Sequence, residues 1–446
     1  MSSLVSIVGG GLAGAEAAWQ LARRGIPVDL YEMRPEKTTP AHTTGLLAEI
    51  VCSNSLGADG PTSPAGILKE ELRRLDSLIL SCADDSRVPA GKALAVDRDS
   101  FSEKVSDRLG DMPGVRVIRK ELAAPPGGPA IIASGPLTSP PLADELKRLA
   151  GADHLAFFDA VAPVVTVDSI DMSRAFRAGR WGQEDDYINC PFTREEYEAF
   201  WRALVSAERA KPHDFEDSPS FFEGCLPVEV MASRGLDTLR FGPMRPVGLP
   251  LPDTGREAWA VVQLRQDNRE GTLYNLVGFQ TNLRWGEQEK VFRMIPGLEK
   301  AEFARLGVMH RNIYVNSPAV LDGRLRFRGG REDLFLAGQI TGVEGYVEST
   351  AMGCVAALNA AALVRGTPFP DWPRETAIGS LLHYLADANP DRFQPMNMNL
   401  GIMPRPEGRI RNKAKRCEIV AAAASRALGV FLEGLNRDLP VGGTEE

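Results

Sequence analysis

The chain of 446 residues carries a formal net charge of −8, and 43% of its residues are hydrophobic and 25% charged. Such a length predicts two domains, and such a composition predicts a globular protein rather than a disordered one. No run approaches the roughly 20 uninterrupted apolar residues of a spanning helix, so we expect no membrane segment. The acidic balance argues against a chain built wholly around nucleic acid, although a local basic patch would suffice for RNA binding.

The first predicted element is a strand at residues 4–8, which begins almost at the initiator methionine. It leaves no room for an export signal, so we expect a cytoplasmic protein. The chain has six widely spaced cysteines with no C-x-x-C pair: Cys52, Cys82, Cys190, Cys225, Cys354 and Cys417. This spacing argues against zinc, iron–sulfur and dithiol redox sites, and we expect free thiols and no metal.

The N-terminal region continues with a glycine turn (9–14), a helix (15–24) and a second strand (26–31). This order predicts the first unit of a parallel doubly wound sheet. Residues 38–64, rich in Thr, Gly, Ser and Pro, are typical of an active-site loop. Helices and strands are then predicted at 67–80, 101–109, 115–119, 130–133 and 142–149.

The pattern changes after residue 156, where strand candidates dominate and one helix begins with a capping box of Thr193 and Glu196. An apolar strand at 334–337 and a helix after Gly345 return to the first pattern, and the remainder is mainly helical. We therefore predict an α/β fold in which a Rossmann-like domain is interrupted by a smaller α+β domain. The predicted boundaries are 1–156, 157–303 and 304–446.

The turn after the first strand has the form G-x-G-x-x-G, with Gly9, Gly11 and Gly14. The first glycine allows a tight turn, the second lets a pyrophosphate approach the backbone, and the third permits close helix packing. Glu32 ends the second strand, where an acid accepts hydrogen bonds from an adenosine ribose. A dinucleotide site is therefore predicted.

A second segment, Leu334 to Gln339, reads as a buried strand that ends in another glycine turn and favours FAD over NAD as the bound dinucleotide. Because the chain has one G-x-G-x-x-G, we expect any NAD(P)H to visit transiently. The predicted FAD-binding residues lie in these two turns and at the end of the second strand: Gly9, Gly10, Gly11, Leu12, Ala13, Gly14, Glu32, Gly338 and Gln339.

Over nearly its whole length the chain closely resembles the TrmFO family, the folate- and FAD-dependent tRNA uracil-5-methyltransferases. The resemblance is carried by the segments VGGGLAGAEAAWQLA, YEMRP, AEIVCSNSLG, GPLTSPPL, EGCLPVEVMASRG, LRFGPMRPVGL, VGFQTNL, MHRNIYVNSP and LFLAGQITGVEGYVESTAMG. It implies that 5,10-methylenetetrahydrofolate and FAD methylate C5 of uridine 54 in the tRNA T-loop, with NAD(P)H as the external reductant.

The implied reaction needs a cysteine, because uracil C5 becomes nucleophilic enough only after a thiolate adds at C6. Two cysteines lie in matching segments, and we assign Cys225 as the nucleophile and Cys52 as an assisting group that removes the C5 proton. An average cysteine is more often a small buried hydrophobe than a nucleophile, and the other four keep that interpretation.

The resemblance also implies that His310 covers the folate pterin, with Asn312, Tyr314 and Glu344 in the same pocket. A histidine there could equally be a core hydrogen-bonding residue. A basic run near the C-terminus has two interpretations, a solvated helix face or phosphate contacts with tRNA. Its candidate tRNA-binding residues are Arg409, Arg411, Lys413 and Lys415.

Two other functional classes stay open. One is a different flavin enzyme, either a GidA-type (MnmG) modifier of the tRNA wobble uridine or an ordinary NAD(P)H oxidoreductase. The other is a flavin-containing tRNA-binding protein with a minor catalytic role. The methyltransferase interpretation predicts tRNA and folate as partners, and no obligate protein partner.

Overall fold

The computed structural model describes residues 4–39, 41–151, 155–210, 226–307, 309–406, 408, 410 and 412–442. Within these ranges the side chains of residues 155–160, 309–311 and 413 are left undescribed. Cys225, Arg409 and Arg411 therefore lie outside the described residues, as do the side chains of His310 and Lys413. Their roles stay predictions.

Strands and helices alternate in the first third of the chain, and strands dominate its middle. The strands are β1 (Val5–Val8), β2 (Val28–Glu32), β3 (Ser55–Ala58), β4 (Arg87–Val88), β5 (Ala93–Val96), β6 (Val115–Arg119), β7 (Ala130–Ile132), β8 (Leu155–Ala160), β9 (Val164–Thr166), β10 (Phe176–Arg177), β11 (Tyr187–Phe192), β12 (Ala260–Gln266), β13 (Leu273–Leu276), β14 (Phe303–Arg305), β15 (Met309–Tyr314) and β16 (Leu334–Leu336). The α-helices are α1 (Leu12–Ala22), α2 (Pro64–Arg74), α3 (Leu78–Asp85), α4 (Arg98–Gly110), α5 (Pro140–Ala150), α6 (Arg194–Ser206), α7 (Val228–Ser233), α8 (Thr238–Phe241), α9 (Trp285–Phe292), α10 (Ser317–Val320), α11 (Tyr346–Arg365), α12 (Ala377–Asp387) and α13 (Lys413–Asp438).

A five-stranded sheet with the order β16-β7-β1-β2-β6 forms the centre of the nucleotide-binding part, and all its pairings are parallel. Strands β1, β7 and β16 are buried along their whole length. They read as almost unbroken apolar runs because a parallel strand covered on both faces has no solvent side for polar residues. The late strand β16 returns to this sheet, as the sequence pattern predicts.

Helices α1 and α11 pack against each other beside this sheet. A Cβ added to Gly353 in α11 would come within 2.2 Å of the Ala13 carbonyl oxygen in α1, so the two backbones approach closely. Within the described chain, α11 is the one helix with the length and apolar composition to cross a membrane. Here 89% of its apolar window is buried inside the protein, as in a core helix.

The middle of the chain forms a six-stranded antiparallel sheet with the order β10-β11-β12-β13-β9-β14. Its buried residues make a hydrophobic core separate from the core of the parallel sheet. The predicted capping box at the start of α6 is confirmed: the Glu196 N–H donates to Thr193 Oγ1 (3.2 Å), and the Thr193 N–H donates to Glu196 Oε2 (2.9 Å).

The described part of the region 157–303, for which one helix is predicted, contains four, α6 to α9. Two further predicted elements differ from the structure. The single helix predicted at 67–80 is two helices, α2 and α3, because Asp76 has a φ of +52° and Ser77 caps a new helix by accepting from the Leu80 N–H at 3.2 Å. The loop predicted at 38–64 contains β3, which pairs with β5 in a small three-stranded sheet. Both differences arise from helix capping and strand pairing, which the spacing of apolar residues along the sequence does not reveal.

Candidate active site

The glycine turn between β1 and α1 is shaped as a dinucleotide site requires. Gly9 has a φ of +105°, and a Cβ there would meet the Ala133 carbonyl oxygen at 2.5 Å. A Cβ on Gly14 would lie 1.9 Å from the Gly9 carbonyl oxygen, so this glycine allows α1 to pack tightly on the turn. A Cβ on Gly11 would meet nothing within 4 Å. That open space lies where a pyrophosphate approaches the backbone.

Glu32 is held in its ionised form beside this turn. Its Oε2 accepts from the Gly10 N–H at 2.9 Å, and its Oε1 accepts from Arg34 Nε at 3.0 Å. Arg34 also donates to Glu49 at 2.8 Å. Burial raises the pKa of Glu32, but hydrogen bonds and the charge of Arg34 outweigh burial, so the net shift is downward. A carboxylate in this state can accept hydrogen bonds from ribose hydroxyls.

An open cleft of about 1040 Å³ runs from the glycine turn past Glu32 to the second turn. Of the predicted FAD-binding residues, Gly10 and Gly14 support the turn from the protein side. The others line the cleft: Gly9, Gly11, Leu12, Ala13, Glu32, Gly338 and Gln339. Gly338 has a φ of +78°, and a Cβ there would meet the Ala13 Cβ at 2.7 Å. These residues fit an extended dinucleotide such as FAD.

Two of the residues predicted to bind folate, Tyr314 and Glu344, lie beside the second turn but are not among the residues that line the cleft. Gln339 Nε2 donates to a Glu344 carboxylate oxygen at 2.6 Å. Asn312 and Tyr314 are buried, and the Tyr314 ring packs on Phe393 with 6.0 Å between centroids. Burial raises the pKa of Tyr314 to about 12. Alternation along β15 places residues 312 and 314 on one face of the strand.

Cys52 lies at the edge of the cleft, directly after the lining residue Val51, and its side chain is partly exposed. Its position is set by Tyr346, whose Oη accepts from the N–H groups of Cys52 (2.8 Å) and Ser53 (3.4 Å). Burial raises the pKa of Tyr346 well above its ordinary value. This tyrosine is not among the site residues predicted from the sequence, although it is the first residue of the predicted helix after Gly345.

Two buried arginines also hold the Cys52 segment, which we define as residues 50–54. Arg98 Nη1 donates to the Ile50 carbonyl at 2.8 Å and forms an ion pair of 3.0 Å with Asp267. Arg265, in strand β12, donates to Ser53 Oγ at 2.7 Å and to Asn54 Oδ1 at 3.1 Å. The antiparallel sheet therefore contacts the loop that carries Cys52. No sequence signal marks these contacts, since the partners of Arg265 lie more than 200 residues away.

The described residues on both sides of Cys225 contact one short segment, 280–282. The Val228 N–H donates to the Gln280 carbonyl at 2.7 Å, and the Ala210 N–H donates to the Asn282 carbonyl at 2.7 Å. Glu229 accepts from Thr281 Oγ1 at 2.9 Å and from the Asn282 N–H at 2.7 Å. Burial raises the pKa of Glu229 against these hydrogen bonds. Ala210, Val228 and Glu229 are thus held by the loop that follows strand β13.

The remaining cysteines lie in the hydrophobic cores, and the prediction of buried hydrophobes is confirmed for Cys82, Cys190, Cys354 and Cys417. Burial raises the pKa of Cys82 to about 11 and that of Cys190 to about 12, so these thiols stay protonated. Throughout the part of the chain that the structure describes, no group of three or more His, Cys, Asp or Glu side chains could hold a metal ion.

Of the predicted tRNA-binding residues, Lys415 is described with its side chain. It is exposed in the first turn of α13, and its N–H donates to the side chain of Asn412, the N-cap, at 3.1 Å. Lys413 is the first residue of the same helix. An exposed basic helix start is compatible with both interpretations of the basic run.

Comparisons with known proteins show the family and the fold. A family model described as glucose inhibited division protein A (GidA) matches residues 4–368. The structure of Aquifex aeolicus GidA superposes with a TM-score of 0.72 and 17% identity, covering 99% of this chain and 76% of that one. This likeness confirms the predicted α/β nucleotide-binding fold.

Relatives at higher identity are methylenetetrahydrofolate–tRNA-(uracil-5-)-methyltransferases named TrmFO. The protein from Moorella thermoacetica is 60% identical over 426 residues, which are 95% of this chain and 97% of that protein. The protein from Desulforudis audaxviator is 59% identical over 435 residues, which are 97% of this chain and 99% of that protein. The chain therefore belongs to the GidA family and, within it, to the TrmFO methyltransferases.

Proposed function

We infer that this chain is a methylenetetrahydrofolate–tRNA-(uracil-5-)-methyltransferase that acts on C5 of uridine 54 in the tRNA T-loop. The observation that carries the proposal is the position of Cys52, which Tyr346 holds by its backbone at the edge of the dinucleotide cleft. Near-complete alignment with TrmFO proteins at 59–60% identity supports the same reaction.

FAD is the bound cofactor in this proposal. The amides after Gly9 and Gly11 would hold its pyrophosphate, Glu32 its ribose, and the turn at Gly338 and Gln339 its flavin end. When bound and reduced, FAD supplies the reducing equivalents that turn a one-carbon unit into a methyl group. We propose NAD(P)H as a transient external reductant, because the sequence has one dinucleotide fingerprint.

The protein residues supply the covalent chemistry at uracil. We propose that the Cys225 thiolate bonds to C6, which moves an electron pair to C5 so that C5 can attack the methylene carbon of the folate. Removal of the C5 proton by Cys52 then expels tetrahydrofolate from the methylene carbon and leaves a methylene group on C5. A hydride, which reduced FAD would supply, makes this group a methyl, and loss of the Cys225 sulfur from C6 restores the double bond. The position of Cys52 at the edge of the cleft supports its proposed role.

We propose separate binding residues for folate and for tRNA. His310, Asn312, Tyr314 and Glu344 surround the folate, with Gln339 linking the cleft to Glu344. The antiparallel region, proposed as residues 157–303 between the flanking segments 1–156 and 304–446, presents the uridine. Phosphates of the tRNA meet the basic run near α13.

The direct test incubates the purified flavoprotein with an unmodified tRNA transcript, methylenetetrahydrofolate and NAD(P)H. We expect 5-methyluridine at position 54, located by nuclease digestion and mass spectrometry, and none in a transcript with cytidine at that position. Methyl label from S-adenosylmethionine should not enter the tRNA. A product at the wobble uridine would instead support the GidA-type alternative.

The basic run has its own test. Replacing Arg411 and Lys413 by alanine should make the tRNA affinity depend less steeply on salt concentration. Each phosphate contact releases counterions when it forms, so a protein with fewer contacts releases fewer counterions on binding. The measurement is a binding titration at several salt concentrations, with FAD content as the control for folding. A slope equal to that of the unchanged protein would favour the solvated-face interpretation.

A further inference from the structure

A third arginine, partly buried, stands beside the Cys52 segment and differs from the other two. Arg305, at the end of β14, reaches the Val51 carbonyl oxygen only at 3.5 Å through Nη1. Its Nε and Nη2 are buried and have no hydrogen-bond partner among the described residues. Arg98 and Arg265, by contrast, make several short hydrogen bonds with the segment and with Asp267.

An arginine in this state is costly to the fold. Buried donors of a charged group that are left unpaired destabilise the folded state, and so does a buried cation without a counter-charge. Burial lowers the pKa of Arg305, and the charge of Arg98 lowers it further. A packing role alone would be filled at less cost by an apolar side chain of similar length, so the charge calls for a functional reason.

The charges around the Cys52 segment include three arginines and Asp267, whose charge raises the pKa of Arg305 against the effect of burial. Asp267 is the acid paired with Arg98, while Arg265 and Arg305 have no ion pair within the described chain. Glu49 and Asp99 line the same cavity as Arg305, but no ion pair joins either of them to Arg305 within the described residues. Glu49 is bonded to Arg34, Thr43 and Thr44, Asp97 caps α4, and Asp99 is exposed. Tyr346 stays neutral because burial raises its pKa.

We propose that Arg305 is a positioning residue for Cys52, whose unneutralised guanidinium beside the Val51–Cys52 peptide favours the thiolate over the thiol. The step is a simple ionisation in which the sulfur gives its proton to water and keeps the electron pair. A nearby positive charge stabilises the anion that remains. The inference deepens the proposed function, since it makes Cys52 able to take a proton from uracil C5.

The experiment measures alkylation of Cys52 by iodoacetamide as a function of pH, in the FAD-bound protein without tRNA or folate. Peptide mass spectrometry follows Cys52 separately from the other cysteines. With Arg305→Met we expect the profile to move to higher pH, so that the rate near neutral pH falls about tenfold, with the same plateau at high pH. Arg305→Lys should restore much of the rate near neutral pH.

The matched control is Arg269→Met, which removes an exposed arginine four residues beyond Arg265 and should leave the profile unchanged. A packing defect would alter the plateau rather than the midpoint, so the two causes are distinguishable. An unchanged midpoint in an FAD-bound Arg305→Met protein would overturn the inference. If that variant loses FAD, Arg305→Gln takes its place as a neutral, polar replacement.

Methylation of tRNA is assayed separately with the unchanged protein. A protein that shows the expected alkylation profiles but makes no 5-methyluridine would refute the proposed function and leave the role of Arg305 intact. A protein that methylates tRNA, but whose alkylation midpoint is the same with and without Arg305, would refute the role of Arg305 and leave the proposed function intact.

Discussion

The glycines of the turn between β1 and α1 serve two different purposes, folding and ligand binding. Gly9 and Gly14 are required by the fold, because a Cβ on either would clash with backbone atoms. Gly11 has room for a side chain in the protein alone. Its lack of a side chain therefore serves the bound dinucleotide rather than the fold.

Gly11→Val should consequently give a folded protein that does not retain FAD. The valine side chain would occupy the space that the pyrophosphate needs, while its extended backbone suits a β-branched residue. Flavin absorbance of the purified protein and its thermal unfolding together check this. Gly110→Ala, where a Cβ also meets nothing within 4 Å, is the matched control and should keep FAD. Equal FAD content in both variants would contradict the prediction.

The cysteine assignment is a second prediction at this scale. In a tRNA with 5-fluorouridine at position 54, the C5 fluorine cannot leave as a proton, so the covalent adduct should accumulate. Cys225→Ala should abolish both adduct and methylation while FAD stays bound, as seen by gel shift and mass spectrometry. If the adduct persists in Cys225→Ala and vanishes in Cys52→Ala, the two roles must be exchanged.

At the scale of elements, helix α2 is joined to α12 by one buried carboxyl group. Glu71 accepts from the N–H groups of Ala377 (2.7 Å) and Ile378 (2.9 Å), the first residues of α12. Burial raises the pKa of Glu71 to about 8 from its ordinary value of 4.5, although these two hydrogen bonds act in the opposite direction. The link therefore couples the stability of this packing to pH.

The sign of that coupling follows from the raised pKa. The contribution of Glu71 to the free energy of unfolding is fully present below about pH 4.5 and is lost as the pH rises to about 8. Glu71→Gln mimics the protonated acid and should reduce the fall in the free energy of unfolding over this range, measured by urea denaturation at several pH values. Glu70→Gln, an exposed change on the same helix, should leave the slope unchanged. An unaltered slope in Glu71→Gln would contradict the prediction.

At the scale of the whole molecule, two separate hydrophobic cores meet through polar contacts near the Cys52 segment. Arg98 belongs to the nucleotide-binding part and Asp267 to the antiparallel region, and both side chains are largely buried, with 12% and 6% exposed. The Asn54 side chain adds a hydrogen bond of 2.9 Å to the Gln266 carbonyl. This junction supports the proposed division into an interrupted domain and an inserted one.

Breaking the ion pair on one side should be costly. Asp267→Asn leaves Arg98 buried without its counter-charge and should lower the free energy of unfolding by about 3–5 kcal/mol, whereas a double change to Met and Leu should recover part of it. Glu198→Gln, which removes the partner of two exposed arginines, Arg194 and Arg202, is the control and should cost less than about 1 kcal/mol. Urea denaturation compares the variants, and similar costs for Asp267→Asn and Glu198→Gln would contradict this account.

The sequence by itself determined the nucleotide-binding fold, the glycine turns and the family, because these depend on apolar runs and spacings within a few residues. The tertiary structure alone decided how Cys52 is held. Tyr346 and Arg265 contact its segment from about 294 and 212 positions away in the chain, and Arg305 stands beside it from 254 positions away. Such contacts produce no local sequence pattern, because nothing in the neighbouring residues distinguishes an arginine or tyrosine that makes them from one that does not. They exist only once the parallel sheet and the antiparallel sheet pack against the same loop.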